Sequence, residues 1–423
     1  MTSLPYSRDN LKILGRLFRN FRECKGYSAR GVARSARLSH TVVSDIENCK
    51  IHPNQDTLKE LYRTVGVSMF FGAEEISSLK HLLAAFNNAV YYTHPDDVDM
   101  YYEALKKRAK RLLHSPLRVD FLLAKETYRS FRLQKRRHGI LDELEEVYEY
   151  LSSEQKQMYN LILGIKYYHA AEYDVALTYL KKNMEIPEPQ NFYAVTITFL
   201  ARVYDFLFKD HRSLKYALEA AKLHTALNNT YRKMEIEVVV VKKHIELGNY
   251  EEAENTIRYL KQSLNRTLRF REAFQRVIAR MEAYLAFAKG DNEQALAHFE
   301  TAKEDAPRFW FYQAYLNHEI GNADKARTCL DQIEKHPPGK VRDFFFAAGR
   351  LFLAHIGEDI PDTDLENAVR TIYENMDVIR NAPLYYMINE MLIAHHERCG
   401  DYKAALEVAK RHLSFYKQRD FLR

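Results

Sequence analysis

The fold turns on residues 14–67, which read LGRLFRNFRECKGYS (14–28), ARGVARSARLSHTVVSDIENCK (29–50) and IHPNQDTLKELYRTVGV (51–67). Apolar residues recur at helical spacing throughout: Leu14, Leu17, Phe18 and Phe21, then Val32 and Ala33, then Val43 and Ile46, then Leu58, Leu61 and Val65. Three breaks divide the run. Gly26-Tyr27-Ser28 ends a first helix, and Ser28 can cap a second by accepting a free backbone N–H. Leu38-Ser39 offers the next N-cap. His52-Pro53-Asn54 ends the third helix, because proline cannot continue one. The second and third helices are separated by only a short turn, the geometry of a helix-turn-helix.

These residues resemble the phage-repressor/Cro-like (XRE) DNA-binding domain. The matches run in order through Gly15-Arg16, Lys25-Gly26, Ser28, Val32-Ala33, Leu38-Ser39, Val43-Ser44, Ile46-Glu47-Asn48, Lys50, Pro53, Asp56-Thr57-Leu58 and Gly66-Val67. Two departures stand out. Ala29 and Gly31 replace the polar residues that usually open the second helix, and Arg37 stands where a turn glycine is common. The resemblance implies a five-helix lambda-repressor-like domain whose third helix, about His40 to Asn48, enters the major groove of double-stranded DNA by its N-terminal half. His40, Thr41, Ser44 and Asp45 would then reach base edges. Ser39 would touch a phosphate, and Arg16, Lys50 and Arg37 would flank the groove. Ser28 completes the candidate DNA-binding set. No Arg or Gln lies on this face, so direct base readout is expected to be modest.

The 423 residues are enough for two or three domains with real cores. Only 11 prolines and 14 glycines argue against a turn-rich β architecture, and the 29 tyrosines suit large helix–helix interfaces. No apolar run is long enough to span a membrane, and the N-terminus lacks a signal-peptide core, so a cytoplasmic protein is expected. Cys24, Cys49, Cys329 and Cys399 form no CxxC pair and read as reduced thiols. The net charge of +6 is unevenly spread: +6 in residues 1–70, −4 in 71–100, +9 in 101–140 and −5 over the rest. Cations thus concentrate at the end that would face phosphates.

Along the chain, residues 1–67 are read as the DNA-binding domain, opening with a short polar arm that carries Arg8 and Lys12. Residues 68–100 are a helical connection, with a helix-like run from Ala73 to Tyr92 and a helix start at His94-Pro95-Asp96-Asp97. Residues 101–423 are the repeat domain. Its opening segment is basic, with KKRAKR at 106–111 and QKRRHG at 134–139. Those charges are read as a helix face pairing with the acidic stretch Asp142–Glu149; a second DNA-backbone contact is the other reading. From about residue 141 the chain repeats itself. Leu163-Gly164, Tyr167, Ala171, Tyr173, Ala176 and Leu180 set the pattern. Gly248, Gly290, Gly321 and Gly400 each precede an acidic or amide-rich helix start. The key alanines recur 31 to 42 residues apart, with an Ala368 unit filling the long gap, and Trp310 falls at the repeat's usual tryptophan position. This resembles the tetratricopeptide pattern, in which helix pairs bury their apolar faces only by stacking. The fold expected is all-α: the helix-turn-helix domain followed by a right-handed TPR-like helical superhelix. The β-branched run Val238–Val241 is assigned to helix because the repeat register outweighs local propensity.

Chemistry-bearing motifs are lacking: no Walker loop, dinucleotide fingerprint, HExxH or nucleophile elbow occurs, and the adjacent His395-His396 has the wrong spacing for a helical metal site. Neither enzyme nor cofactor nor metal is expected. An XRE-like domain followed by about seven or more such repeats resembles the RRNPP group of peptide-pheromone receptor-regulators. That resemblance implies a transcription regulator of the quorum-sensing type, a homodimer whose repeats bind a short signalling peptide that switches conformation or oligomeric state. Repeat register places Arg202, Lys242, Arg280, Tyr284, Arg308 and Tyr315 on the inner face, with Asn160 and Asn389 nearby; asparagines in this group hold peptide backbone. Ile162, Val239, Met281 and Tyr312 stand where a carboxylate-clamp repeat would carry polar groups, which argues against that mode. The alternative is a phage or mobile-element regulator whose repeats bind a protein partner instead of a peptide.

Overall fold

The computed structural model of the chain describes residues 8–69, 72–132, 139–186, 192–265, 270–379 and 382–418. The start of the N-terminal arm and the basic residues 134–138 lie outside them. Every regular element among the described residues is helical, and two compact units, Met1–Leu200 and Ala201–Arg423, divide the chain. That division falls inside the segment 101–423 that the sequence reads as a single domain.

The first unit opens with α1 (Arg8–Cys24), α2 (Ala29–Ser35), α3 (His40–Glu47) and α4 (Gln55–Thr64). α3 ends before the expected His52-Pro53-Asn54 break, because Cys49 takes a left-handed φ of +58° just past its end. Three side chains start the last three of these helices. Ser28, Ser39 and Asn54 each accept the N–H three residues on, at 3.0, 3.2 and 2.8 Å. Leu14, Phe18, Val32, Val43, Ile46, Leu58 and Leu61 close one core with Tyr62, whose hydroxyl donates to the Leu14 carbonyl at 2.9 Å. Gly15 is required by packing: a Cβ there would lie 2.7 Å from the Ile46 Cγ2, so α1 and α3 approach as closely as they do because no side chain intervenes. One ion pair is buried here. Arg22 Nε and Nη2 donate to the two carboxylate oxygens of Glu47 at 2.6 and 2.8 Å, and tie α1 to the last residue of α3.

α5 (Ala73–Tyr91) follows, then α6 (Pro95–Lys107), started by Pro95 at its first turn. α7 (Ala109–Leu113), α8 (Arg118–Phe131), α9 (Ile140–Glu145) and a 3-10 turn at Tyr148–Tyr150 complete the segment. α5 directs its apolar face to α6 and α8. The basic run at 106–111 pairs differently from the expectation. Lys106 holds Glu103 and Arg111 holds Glu75, because helix neighbours and α5 lie nearer than the 142–149 stretch; of the described cations within 101–140, Arg118 meets that stretch, on Glu143.

Consecutive helix pairs follow: α10 (Ser153–His169) with α11 (Tyr173–Met184), α12 (Tyr193–Phe206) with α13 (Asp210–Ala226), α14 (Thr230–Glu246) with α15 (Tyr250–Asn265), α16 (Arg271–Ala288) with α17 (Asn292–Ala302), α18 (Pro307–Glu319) with α19 (Ala323–Lys335), α20 (Lys340–His355) with α21 (Asp362–Glu374), and α22 (Ala382–Arg398) with α23 (Tyr402–Gln418). Val238–Val241 lie inside α14, where packing on neighbouring helices outweighs their β propensity. The same device ends every first helix: a residue with left-handed φ, whose successor donates its N–H five residues back. In α14 Gly248 has φ +76° and Asn249 donates to His244 at 2.8 Å; in α10 Ala171 has φ +61° and Glu172 donates to Tyr167 at 2.9 Å. Glycine fills this position at 248, 290, 321, 357 and 400, whereas Ala171 and Phe208 adopt it with a Cβ. The Phe208 ring packs edge-on against Phe415, with centroids 4.6 Å apart.

Candidate functional site

The helix-turn-helix presents its third helix edge-on. Val43 and Ile46 turn into the core, and Ser39, His40 and Thr41 are exposed at the N-terminal end. The hydroxyl oxygen of Ser39 serves as the α3 cap, and that of Ser28 as the α2 cap; each keeps its own O–H free to donate. Ser44 and Asp45 are half-buried. Ser44 accepts from the Asn48 amide at its carbonyl (2.8 Å) and its hydroxyl (3.3 Å). The Asp45 carboxylate lies 3.7 Å from the Lys50 ammonium, so these two candidates neutralise each other. Arg16 points to the other end of α3: it donates to the Glu47 carbonyl at 3.2 Å and lies 3.6 Å from the Glu146 carboxylate. His40 and Thr41 are thus the candidates left with open side chains, joined by the hydroxyl hydrogens of Ser28 and Ser39.

The outer face of α1 is held by the segment that follows α6. Asn20 donates to Glu146 at 3.4 Å, the Arg118 guanidinium covers the Phe21 ring at 4.5 Å, and Lys12 sits 4.7 Å over the Tyr150 ring. These contacts engage α1 and leave the N-terminal half of α3 exposed.

Turn chemistry departs from the family pattern at one residue. Arg37 keeps the left-handed conformation usually given to glycine, at φ +55°. Arg30 and Arg34, which the sequence candidates omit, are exposed on α2. Their four-residue spacing was the signal that could have found them.

Asn160 belongs to the first unit. It is buried on α10, where its amide donates to the Tyr148 hydroxyl at 2.9 Å. In the second unit the candidate cations are engaged by carboxylates. Arg202 holds Glu235 at 3.1 Å, Lys242 holds both oxygens of Asp205 at 2.9 Å, and Arg280 holds Glu304 at 2.6 Å. Arg308 differs: it is exposed, with its guanidinium 4.5 Å over the Phe309 ring. Tyr284 packs on Tyr312 and Phe299, and burial raises its hydroxyl pKa despite the nearby Arg280 and Arg308. Tyr315 contacts Phe287 and Phe352. Asn389 is fully buried on α22, donating to the Tyr385 carbonyl at 2.7 Å with its own carbonyl oxygen unpartnered. The structure therefore brings Arg280, Tyr284 and Arg308 together, with Tyr315 packed against the same hydrophobic core as Tyr284, while Arg202 and Lys242 pair elsewhere.

One cluster was not legible in the sequence. Lys243, 1% exposed, lies among Asp205, Asp210 and Glu246. Burial would push the Asp205 carboxyl up, but Lys242 and Lys243 beside it bring it down to about 2. Glu237 shows the opposite balance. Burial pushes it up to about 7, and Lys233 at 3.7 Å offsets only part of that. Among the described residues no group of acidic, His or Cys side chains could hold a metal ion, all four cysteines are free thiols, and no helix is long and apolar enough to cross a membrane.

Residues 13–69 match the model of a helix-turn-helix domain. No curated protein matches the chain by sequence. Solved structures do match by fold. The Rap protein complexed with competence and sporulation factor superposes with a TM-score of 0.64 at 14% identity, covering 82% of this chain and 99% of that one. NprR in complex with its cognate peptide NprX gives 0.61 at 15% identity, over 80% and 99%. Aspartyl phosphate phosphatase F from Bacillus subtilis gives 0.50 at 13% identity, over 84% and 97%. At these identities the likeness is one of fold. The chain therefore carries a helix-turn-helix domain at its N-terminal end and, beyond it, the helical-repeat fold seen in the Rap and NprR structures.

Proposed function

We propose that the chain is a cytoplasmic, DNA-binding transcription regulator whose repeats bind a short signalling peptide, and that the peptide shifts the balance between conformations or oligomeric states with different DNA affinity. One observation carries the reading: a helix-turn-helix with an exposed recognition-helix N-terminus is joined to a repeat fold also found in NprR in complex with its peptide. A ligand can shift such an equilibrium only by its differential affinity for the two states. Homodimerisation belongs to the same proposal, since two modules on two half-sites multiply a modest single-module affinity. The helix-turn-helix favours a regulator over an aspartyl phosphate phosphatase such as the Bacillus subtilis structural relative.

Arg308 supports an inner-face peptide site, because its charge is not committed to a carboxylate, and Tyr284 and Arg280 lie beside it. The pairing of Arg202, Lys242 and Arg280 favours a second reading, in which a protein partner rather than an anionic peptide meets the repeats: an incoming anion must displace a carboxylate at each of the three. The test is selection of duplexes from a randomised library by the full chain, followed by affinity measurement with and without synthetic peptides from small reading frames beside the gene. Peptide-dependent affinity or oligomeric state is the expected outcome. Binding unmoved by every such peptide, with a protein partner shifting it instead, selects the second reading.

A further inference from the structure

Three arginines on one short helix and its exit turn stand apart from the other cations between Lys12 and Arg63. Over that span the remaining lysines and arginines are engaged. Arg16 meets Glu146, Arg19 meets Glu23 and Arg22 meets Glu47; Lys50, Lys59 and Arg63 meet Asp45, Asp56 and Glu60. Lys25 donates to the Val65 carbonyl at 2.7 Å, and Lys12 covers the Tyr150 ring. The side chains of Arg30, Arg34 and Arg37 are exposed and make no hydrogen bond or ion pair; Arg37 senses Glu60 only through space, and Glu60 is held by Arg63. The sequence explains the contrast. Residues 24–44 contain no Asp or Glu, so no carboxylate neighbours them along the chain, and the acid that Arg37 senses across the fold, Glu60, is already paired.

Their placement is ordered. Arg30 and Arg34 are four residues apart and share one face of α2, while Val32, Ala33 and Ala36 turn to the core. Arg37 follows three residues later and stands three residues before His40, the first residue of α3. It also occupies a left-handed φ of +55°, where a side chain costs about 1 kcal/mol relative to glycine. A bulky cation is thus kept at a position that glycine would fill with less strain.

We infer that Arg30, Arg34 and Arg37 form a phosphate track for duplex DNA, and that this track rather than α3 supplies most of the affinity. The inference rests on the DNA-binding reading and sets its energetic character. Unpaired, hydrated guanidinium groups lose nothing internal when they meet phosphates, and each contact releases condensed counterions. The base-reading candidates offer no Arg or Gln, and Asp45 is already paired with Lys50. Binding is therefore steeply salt-dependent and only moderately sequence-selective.

The experiment uses the full chain, with fluorescence anisotropy on a duplex selected from the randomised library and on a mixed-sequence duplex, from 50 to 200 mM KCl. Removal of three phosphate contacts in R30A/R34A/R37A lowers the log–log salt slope by about 2.7. The affinity advantage of the wild type over the triple variant then shrinks about 40-fold across that salt range, equally on both duplexes. Arg37→Gly separates binding from folding: it melts at a higher temperature than wild type yet loses about 0.9 of slope. Arg63→Ala, an exposed arginine paired on α4, keeps the wild-type slope. A wild-type slope in the triple variant overturns the inference, as does a loss confined to the selected duplex. Failure of the wild type to bind any duplex at 50 mM KCl overturns the DNA-binding reading itself.

Discussion

Replacing Glu47 by alanine removes the acidic half of the pair that anchors α3 to α1. The geometry sets the magnitude. Both side chains are nearly inaccessible, at 9% exposure for Arg22 and 5% for Glu47, and the two charged hydrogen bonds are 2.6 and 2.8 Å long. Breaking a buried pair by removing one partner costs about 3–5 kcal/mol, because the other charge stays desolvated. Arg22 retains the Tyr27 carbonyl at 2.8 Å and Glu23 at 3.3 Å, which places this case at the lower end, about 3 kcal/mol. That corresponds to about a hundredfold loss of amide-exchange protection. Exchange is read by mass spectrometry on the full chain, with peptides covering residues 8–50 compared against those covering α16 and α17. Protection falls in α1 and α3 and is unchanged in the second unit. The double variant R22M/E47L recovers most of the loss, since an apolar pair of similar volume replaces the ions without leaving a charge behind. Protection within threefold of wild type in E47A would refute the reasoning, and so would a double variant as unstable as the sum of its two singles.

Three further outcomes are expected. Glu237 has a folded pKa of about 7 against an ordinary 4.5, so the fold keeps a proton that the unfolded chain releases; stability is full below pH 4.5 and declines by at most about 3 kcal/mol as pH rises through 7. Glu237→Gln removes that decline, and denaturant melts at pH 4.5 and pH 8 check it: parallel curves for both proteins at both pH values would be the wrong result. Ala171→Gly relieves a left-handed φ of +61° and raises stability by up to about 1 kcal/mol, measured as a shift in denaturation midpoint; a loss would mean that the unfolded chain's added freedom outweighs the strain. Arg308→Ala weakens peptide binding tenfold or so, as expected for one charged hydrogen bond worth about 1.5 kcal/mol, while leaving the melting curve in place. Arg202→Ala instead lowers stability by leaving Glu235 with Arg232 alone, and calorimetric titration beside thermal melts distinguishes the two behaviours.

The helix-turn-helix was legible because local chemistry dictates it. Ser28 and Ser39 cap the helices they were expected to cap, and the α3 boundaries follow from Ser39 and the Asn48 turn. The repeat glycines at 248, 290, 321 and 400 were legible for the same reason, since a left-handed helix end favours a residue without Cβ. Ala171 and Phe208 take the same conformation with no glycine to mark it; the first of these repeats was legible instead from Leu163-Gly164, Tyr167, Ala176 and Leu180. Side-chain partners were not legible. Register can place Arg202, Lys242 and Arg280 on one face, but it cannot show that Glu235, Asp205 and Glu304 lie within reach, because those pairs join residues 24 to 37 positions apart. The buried Lys243 cluster escaped for that reason too, as did the pairing of Asp45 with Lys50, which depends on how the chain turns after α3. Charge counting located the basic N-terminal region, and only the pairing pattern isolated three arginines within it.

Peptide control of DNA binding is tested most directly by the affinity of the full chain for a selected duplex at fixed salt, with and without each synthetic peptide encoded beside the gene, with mass read by light scattering on the same samples. One peptide is expected to change the affinity or the oligomeric state, and Arg308→Ala to blunt the change without altering DNA binding in the peptide's absence. Tight duplex binding that no peptide shifts, together with no peptide binding by calorimetry, would contradict the proposed function.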